Sequence, residues 1–225
     1  MSLILAVSLA KTSELYSSHG IPLARKCSVP QIGIVNCHVE CLHRDMPEIT
    51  TLFSSRWLIL QKIQHWEFVR RPSANAAVGI LAITPENEII LVEQFRIPMQ
   101  RSVIEIPAGL VGDEPEHADE SLATTAQREL LEETGYLAHD ISPLISSPTS
   151  AGMSSEMTHL FLATNLEKKH HGGGVDGESI TVHHVPLSQL SAWLAEQTAL
   201  GKLIDFKIHA ALYQMMHGPN APLPA

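Results

Sequence analysis

Three glutamates within five residues carry the first chemical signal in this chain. In "QRELLEETGY", Gln127 to Tyr136, Glu129, Glu132 and Glu133 crowd onto little more than one helical turn, and Gly135 supplies the left-handed residue that commonly ends a helix. Like charges three and four residues apart repel by about 0.2–0.5 kcal/mol per pair on a helix, so the arrangement needs a reason. On a wheel of about 100° per residue with Leu122 at zero, Ala126 lies near 40°, Leu130 near 80° and Ala123 near 100°, which defines the stripe that packs. Glu133 falls inside that stripe at about 20°, Glu129 on its edge at about -20°, and Glu132 at about -80°. Arg128, at about -120°, reads as too far round to serve both Glu129 and Glu133. Burying an unpaired carboxylate costs several kcal/mol, so something must neutralise these two. A divalent cation does so economically. Oxygen-only ligands spaced i, i+3 and i+4 suit Mg²⁺ or Mn²⁺ rather than zinc. From the wheel alone, a solvated acidic patch stands beside that reading.

The rest of the chain must build a scaffold for this helix. Its 225 residues are 44% hydrophobic, enough for one sizeable core. The formal net charge of -9 argues against tight binding to nucleic acid or a membrane surface, which usually needs a basic face. A phosphate-bearing substrate would have to be held by cations or local arginines. Three cysteines do not suggest a disulfide framework, and a reducing cytoplasm is the simpler expectation. No apolar run reaches the roughly 18–20 residues of a membrane span. The apolar opening "MSLILAVSLAK" has no basic residues ahead of it and no clear cleavage site after it, so it is not read as a signal peptide.

Residues 1 to about 50 show no sustained period and read as an extension. Cys37, His38, Cys41 and His43 lie close together there, but without CxxC spacing or a second ligand cluster they read as incidental. Met46 is a candidate natural start. Organised sequence begins near Trp57, where "RWLILQKI" and "WEFVRR" read as two strands of a meander within residues 51–75. A layered domain follows over 76–218. "AAVGILAIT" and "EIILVEQF" form a hairpin of β-branched runs, and "VIEIPAGL" is a short strand stopped by Pro107 and Gly109. Asp119 is the expected N-cap of a helix over about 120–134. "SPTSAGMSSE" is a loop, "MTHLFLAT" a strand, and "EKKHHGGGVDGE" a polar loop in which His170 and His171 are expected to be solvated. A strand "SITVHHVP" precedes the amphipathic helices "LSQLSAWLAEQTA" and "DFKIHAALYQMM", and residues 219–225 form a loose tail. Trp193 reads as core. Strands with flanking helices but no regular βαβ alternation predict an α+β layered domain.

From Glu120 onward the chain resembles the Nudix box, G-x5-E-x7-R-E-U-x-E-E-x-G-U with U hydrophobic, in "RELLEETGY" and the seven residues before it. The box glycine position is Glu114; its natural counterpart, Gly109, lies eleven residues before Glu120, which implies a five-residue insertion. "VEQFRIPM", "EIPAGL", "WEFVRR" and "DFKIHAAL" resemble segments of the ADP-ribose and ADP-sugar pyrophosphatase branch, over roughly Trp57 to Met216. The resemblance implies a Nudix fold, an α/β/α sandwich of mixed sheet with a catalytic loop-helix-loop, preceded by a small β region that serves dimerisation and the adenine site. It implies that the Ala108 carbonyl, Glu129 and Glu133 hold Mg²⁺, or Mn²⁺, with Glu132 completing or supporting the set. Arg128 would orient the glutamates, and Glu120 would be structural. Glu156 matches the place of the general base, with Glu132 the competing candidate.

Substrate recognition would fall to Arg96 and Arg71 on phosphate or the terminal ribose. Trp57 and Trp66 would serve adenine, at positions resembling two tryptophans that sandwich the base across a dimer; packing in a sheet or dimer interface is the other reading. Glu67 would accept from the adenine amino group. The expectation is a cytoplasmic, homodimeric hydrolase cleaving ADP-ribose to AMP and ribose 5-phosphate. A broader nucleoside-diphosphate-sugar hydrolase, for example on GDP-mannose, and a ligand sensor without turnover are the alternatives. Neither nucleic acid nor membrane is an expected partner.

Overall fold

The computed structural model describes residues 47–218 apart from 75, 175, 176 and 178, all within the unit that begins at Met46. The Cys37, His38, Cys41 and His43 group, the candidate start at Met46 and the tail 219–225 lie outside the described residues.

Strands β1 (Ile49–Ser54), β2 (Ile59–Ile63) and β3 (Trp66–Arg70) form an antiparallel three-stranded meander. Ordered structure therefore starts before Trp57. β1 has no apolar alternation because it buries neither face, and that hides it from a periodicity reading.

The main sheet is mixed. It contains β4 (Ala76–Ile83), β5 (Glu88–Arg96), β6 (Arg101–Glu105), β7 (Ala108–Leu110), β8 (Tyr136–Pro148), β9 (Met157–Lys168), β10 (Ile180–Pro186) and β11 (Leu203–Ile204). Its order is β11-β6-β5-β4-β9-β8, with β10 beside β5 and β7 beside β4. β4 with β9 and β11 with β6 run parallel; the remaining pairs are antiparallel. Among the described residues three α-helices complete the unit: α1 (Leu122–Thr134), α2 (Leu190–Ala199) and α3 (Phe206–His217).

The period of two along β4 creates the layers. Val78, Ile80 and Ala82 pack with Ala126 and Leu130 of α1, while Leu81 and Ile83 pack with Leu190 and Leu194 of α2 and with Ile208 and Ala211 of α3. Helices thus cover both faces of the sheet, the expected α/β/α sandwich. Trp193 is half-buried against the α2–α3 core, and His170 and His171 are exposed.

Local differences from the sequence reading have identifiable causes. The helix starts at Leu122, not at 120, because Ser121 rather than Asp119 is the N-cap: its hydroxyl accepts from the Thr124 N–H. "VIEIPAGL" is two strands, not one, since Pro107 has no N–H to continue the ladder. β8 was missed altogether; its long run carries His139, Asp140, two prolines' worth of turn signal and a bulge between Pro143 and Ile145, and it lies at the sheet edge. Among the described residues no helix is long and apolar enough to cross a membrane.

Leu130 is completely buried between α1 and the sheet. Leu130→Ala should destabilise the protein by about 2–5 kcal/mol in urea unfolding, because little around it can collapse into the cavity. A loss under about 1 kcal/mol would mean that α1 is not held by this contact.

Candidate active site

Past β6 the chain leaves β5 and crosses to β4, where Gly79, Val78 and Ala77 pair with Ala108, Gly109 and Leu110 of β7. The Pro107 carbonyl accepts from the Ile80 N–H at 2.8 Å, which fixes the crossing. α1 then packs against this short strand. At Gly109 a Cβ would fall 2.0 Å from the Glu129 carboxyl carbon, so only glycine lets the carboxylate lie over the backbone. The Ala108 N–H donates to Glu133 Oε2 at 3.2 Å, and Glu133 is 6% exposed. The inward placement of Glu133 read from the wheel holds in three dimensions.

Arg128 reaches three carboxylates, Glu129 among them. Its long side chain bridges Glu120 (Nε to Oε2, 3.2 Å), Glu129 (Nη1 to Oε1, 3.0 Å) and Glu132 (Nη1 to Oε2, 3.0 Å). Glu129 is therefore within its grasp. Burial works against the Arg128 charge, but the carboxylates of Glu129, Glu120 and Glu132 outweigh it and hold its pKa above the ordinary value. Glu120 is also bound by Thr125 Oγ1 and His117 Nδ1. Burial tends to raise its pKa, yet the bonds from Arg128 and Thr125 bring it below the usual value. Glu120 is thus tied into the protein, in keeping with a structural role.

The loop from Thr149 to Glu156 closes on itself, with the Thr149 N–H donating to the Glu156 carbonyl at 3.0 Å. β3 straps it down. The Val69 N–H donates to the Met153 carbonyl (2.8 Å), the Ser155 N–H to the Val69 carbonyl (3.3 Å), and the Trp66 indole N–H to the Gly152 carbonyl (3.2 Å). Just beyond β3, Arg71 Nε donates to Glu156 Oε2 at 2.8 Å. Across the cleft Arg96 Nε donates to Glu105 Oε2 at 2.6 Å. Both arginines expected to meet a phosphate are paired with a carboxylate here, each through one of a guanidinium's five donors.

Ala108, Glu129, Glu132, Glu133, Arg128, Glu156, Arg71 and Arg96 all line a single cleft of ≈ 690 Å³. Glu105, Asp113 and Lys207 line it too and were not foreseen. Glu105 and Lys207 sit inside "EIPAGL" and "DFKIHAAL", stretches singled out for their likeness rather than for their charges. Trp57, Trp66 and Glu67 do not line the cleft of one chain. Trp57 is 66% exposed beneath the Arg56 guanidinium, 4.4 Å from its ring centroid, and Trp66 is 55% exposed.

The residues present fit a divalent cation. Three carboxylates of α1 and the Ala108 backbone offer oxygen donors, and one arginine is shared among Glu120, Glu129 and Glu132. Arg128 Nη2 is buried without a hydrogen-bond partner among the described residues, a donor that calls for an acceptor and not for a cation. Another group, Glu114, Glu116 and His117, brings its ligand atoms within 4.8 Å of one another, but both glutamates are exposed and His117 is engaged by Glu120.

Burial pushes Glu129 up to about 7 from an ordinary 4.5, with Arg128 pulling the other way and Glu132 adding to the rise. The sign for metal-free protein follows. Between those two values the folded chain keeps a proton that the unfolded chain has released, so stability falls as pH rises through the window and levels off above it. In EDTA, wild-type protein should lose thermal stability from pH 5 to 7.5 relative to Glu129→Gln. Parallel profiles for the two proteins would contradict the burial of this carboxylate.

The NUDIX domain family matches residues 74–205, from the residue pair before β4 to the residue before α3. A methanol dehydrogenase activator from Bacillus methanolicus is 40% identical over 134 residues, which is 58% of this chain and 67% of that protein. An ADP-ribose pyrophosphatase from Bacillus subtilis is 45% identical over 102 residues, 44% of this chain and half of that one. A GDP-mannose pyrophosphatase from Klebsiella pneumoniae is 28% identical over 166 residues, 64% of this chain and 80% of that protein. A crystal structure described as an ADP compounds hydrolase superposes with a TM-score of 0.61 at 19% identity, over 78% of this chain and 95% of the other, and speaks to the fold alone. With β7, α1 and the Glu156 loop all inside a match longer than half the chain, this protein belongs to the NUDIX family of hydrolases.

Proposed function

We propose that the protein hydrolyses the diphosphate bond of a nucleoside diphosphate sugar, with ADP-ribose the favoured substrate and AMP and ribose 5-phosphate the products. The observation that carries this reading is the convergence of the α1 carboxylates, Glu156 and three arginines on one cleft. Its volume falls within the range of about 300–1,000 Å³ usual for small-molecule sites. The 45% identity to an ADP-ribose pyrophosphatase supports the choice of sugar.

Ala108, Glu129 and Glu133, with Glu132 beside them, would hold Mg²⁺ or Mn²⁺. Such an ion, when bound, neutralises diphosphate charge and acidifies water. Arg128 orients Glu129 and Glu132 through Nη1, which meets both carboxylates. Arg71 and Arg96 supply positive charge where a diphosphate enters, each with guanidinium donors beyond the one that holds its carboxylate partner. Glu156 accepts the proton of the attacking water as oxygen adds to phosphorus and the bridging P–O bond breaks. Arg71 and the β3 strap fix its position. Glu132, beside the ligands on α1, is the competing candidate for that task, and like Glu156 it has one oxygen held by an arginine.

The adenine would stack on Trp57 and Trp66. Both stand exposed in the meander, Trp57 in the β1–β2 turn and Trp66 at the start of β3, and Ile49, Leu52, Phe53 and Leu58 are exposed there too, apolar surface that a second copy of the chain would cover in a homodimer. Cysteine usage favours the cytoplasm as its compartment.

GDP-mannose is the second reading, supported by a relative matched over 80% of its length. A panel of ADP-, GDP- and UDP-sugars with Mg²⁺ or Mn²⁺ decides between them. ADP-ribose should show the highest kcat/KM, releasing AMP, and Glu133→Gln should lower turnover by at least about 100-fold, since a neutral amide is a poor ligand for a hard cation. Faster release of GMP from GDP-mannose would shift the assignment, and undiminished turnover by Glu133→Gln would overturn the site.

A further inference from the structure

The catalytic helix ends against a loop to which the hydrolytic reading gives no task, "KKHHGGG", Lys168 to Gly174. An α-helix leaves its last four carbonyls without internal partners, and in α1 these belong to Leu131, Glu132, Glu133 and Thr134. The Gly135 N–H meets the first, at 2.7 Å from the Leu131 oxygen. The other three are met from this distant segment. The Gly174 N–H donates to the Glu132 carbonyl (3.3 Å), the Gly173 N–H to the Glu133 carbonyl (2.8 Å), and Lys168 Nζ to the Thr134 carbonyl (2.8 Å). The Gly135 carbonyl in turn accepts from the N–H groups of Lys169 and His170, at 2.8 and 3.3 Å.

Such closeness demands glycine. At Gly172 a Cβ would sit 2.5 Å from the Glu133 carbonyl oxygen and from the Thr134 carbonyl carbon, and φ there is +74°. Two of the clasped residues are those whose side chains would hold the cation. Their carboxylates also lie at the negative end of the helix dipole, where anions are disfavoured, and donors placed there offset that field.

We propose that Lys168 and Gly172–Gly174 are positioning residues for the cation site: they clasp the backbone of Glu132 and Glu133 so that the carboxylates are presented in binding geometry. The proposal rests on the assignment of these glutamates as ligands. Partners one shell out from a metal typically alter its affinity by about 10–100-fold when lost.

The test uses Mn²⁺ alone as probe, titrated into the metal-stripped full chain and followed by electron paramagnetic resonance, beside hydrogen exchange of the last turn of α1. Gly172→Ala should weaken Mn²⁺ binding by about 10-fold or more and speed exchange in that turn. It should raise the metal concentration for half-maximal rate without changing KM for ADP-ribose at saturating metal. Lys168→Met should act in the same direction, less strongly, and carries the test where Gly172→Ala does not fold. Gly201→Ala is the control: φ is +84° and a Cβ there meets nothing within 4 Å, so it imposes like backbone strain elsewhere. Wild-type Mn²⁺ affinity in folded Gly172→Ala and Lys168→Met, even with faster exchange, would reduce the loop to a structural cap and overturn the proposal. So would an equal loss in Gly201→Ala. Failure of wild-type protein to bind Mn²⁺ would instead remove the ligand assignment, and the proposal with it.

Discussion

Around the Arg128 guanidinium stand the carboxylates of Glu120, Glu129 and Glu132, and Glu133 lies a turn along from Glu129 in the packed stripe of the same helix. One fixed positive charge does not balance the three carboxylates around it in a partly desolvated setting. The protein divides the problem. Glu120 takes Thr125 and His117 as further partners and is satisfied within the fold. Glu129 is left with burial dominating, and its pKa rises to about 7. Binding of a cation to such a group would release its proton.

The surrounding architecture keeps that imbalance from collapsing. β7 brings a backbone without a side chain at Gly109 under Glu129, while the Ala108 N–H aligns Glu133. β4 serves both layers: its even positions seat α1, its odd positions seat α2 and α3, so the helix that bears the charges is fixed to the centre of the sheet. From the other side, β3 holds the Glu156 loop by main-chain bonds and sends Arg71 to its carboxylate. The small meander that would receive the nucleotide base is thus joined to the group that would receive the proton. Membership of the NUDIX family accounts for the shared box, and the structure shows the bonds by which this chain positions it.

Much of the site was legible because its charges violate a pattern. Glu133 within an apolar stripe is visible from spacing alone, since helix geometry is fixed at about 3.6 residues per turn. Reach is not visible in that way. A wheel places Cα atoms and ignores the length of a flexible side chain, by which Arg128 reaches Glu129. Arg71 and Arg96 were recognised as site residues, but their carboxylate partners lie 85 and nine residues away and follow from strand registers, not from local sequence. β1 and β8 escaped because strands that bury little lack alternation. Asp119 and Ser121 are both good caps, and the choice between them depends on where the loop after Pro115–His117 delivers the chain.

We propose that a divalent cation, held by the Ala108 carbonyl and the carboxylates of Glu129 and Glu133, would resolve the imbalance on α1. Crystals grown in Mn²⁺ and measured near the manganese absorption edge test it directly. An anomalous peak among those three residues is expected. A peak confined to Glu114, Glu116 and His117, or no peak while Arg128 keeps its carboxylates, would contradict it.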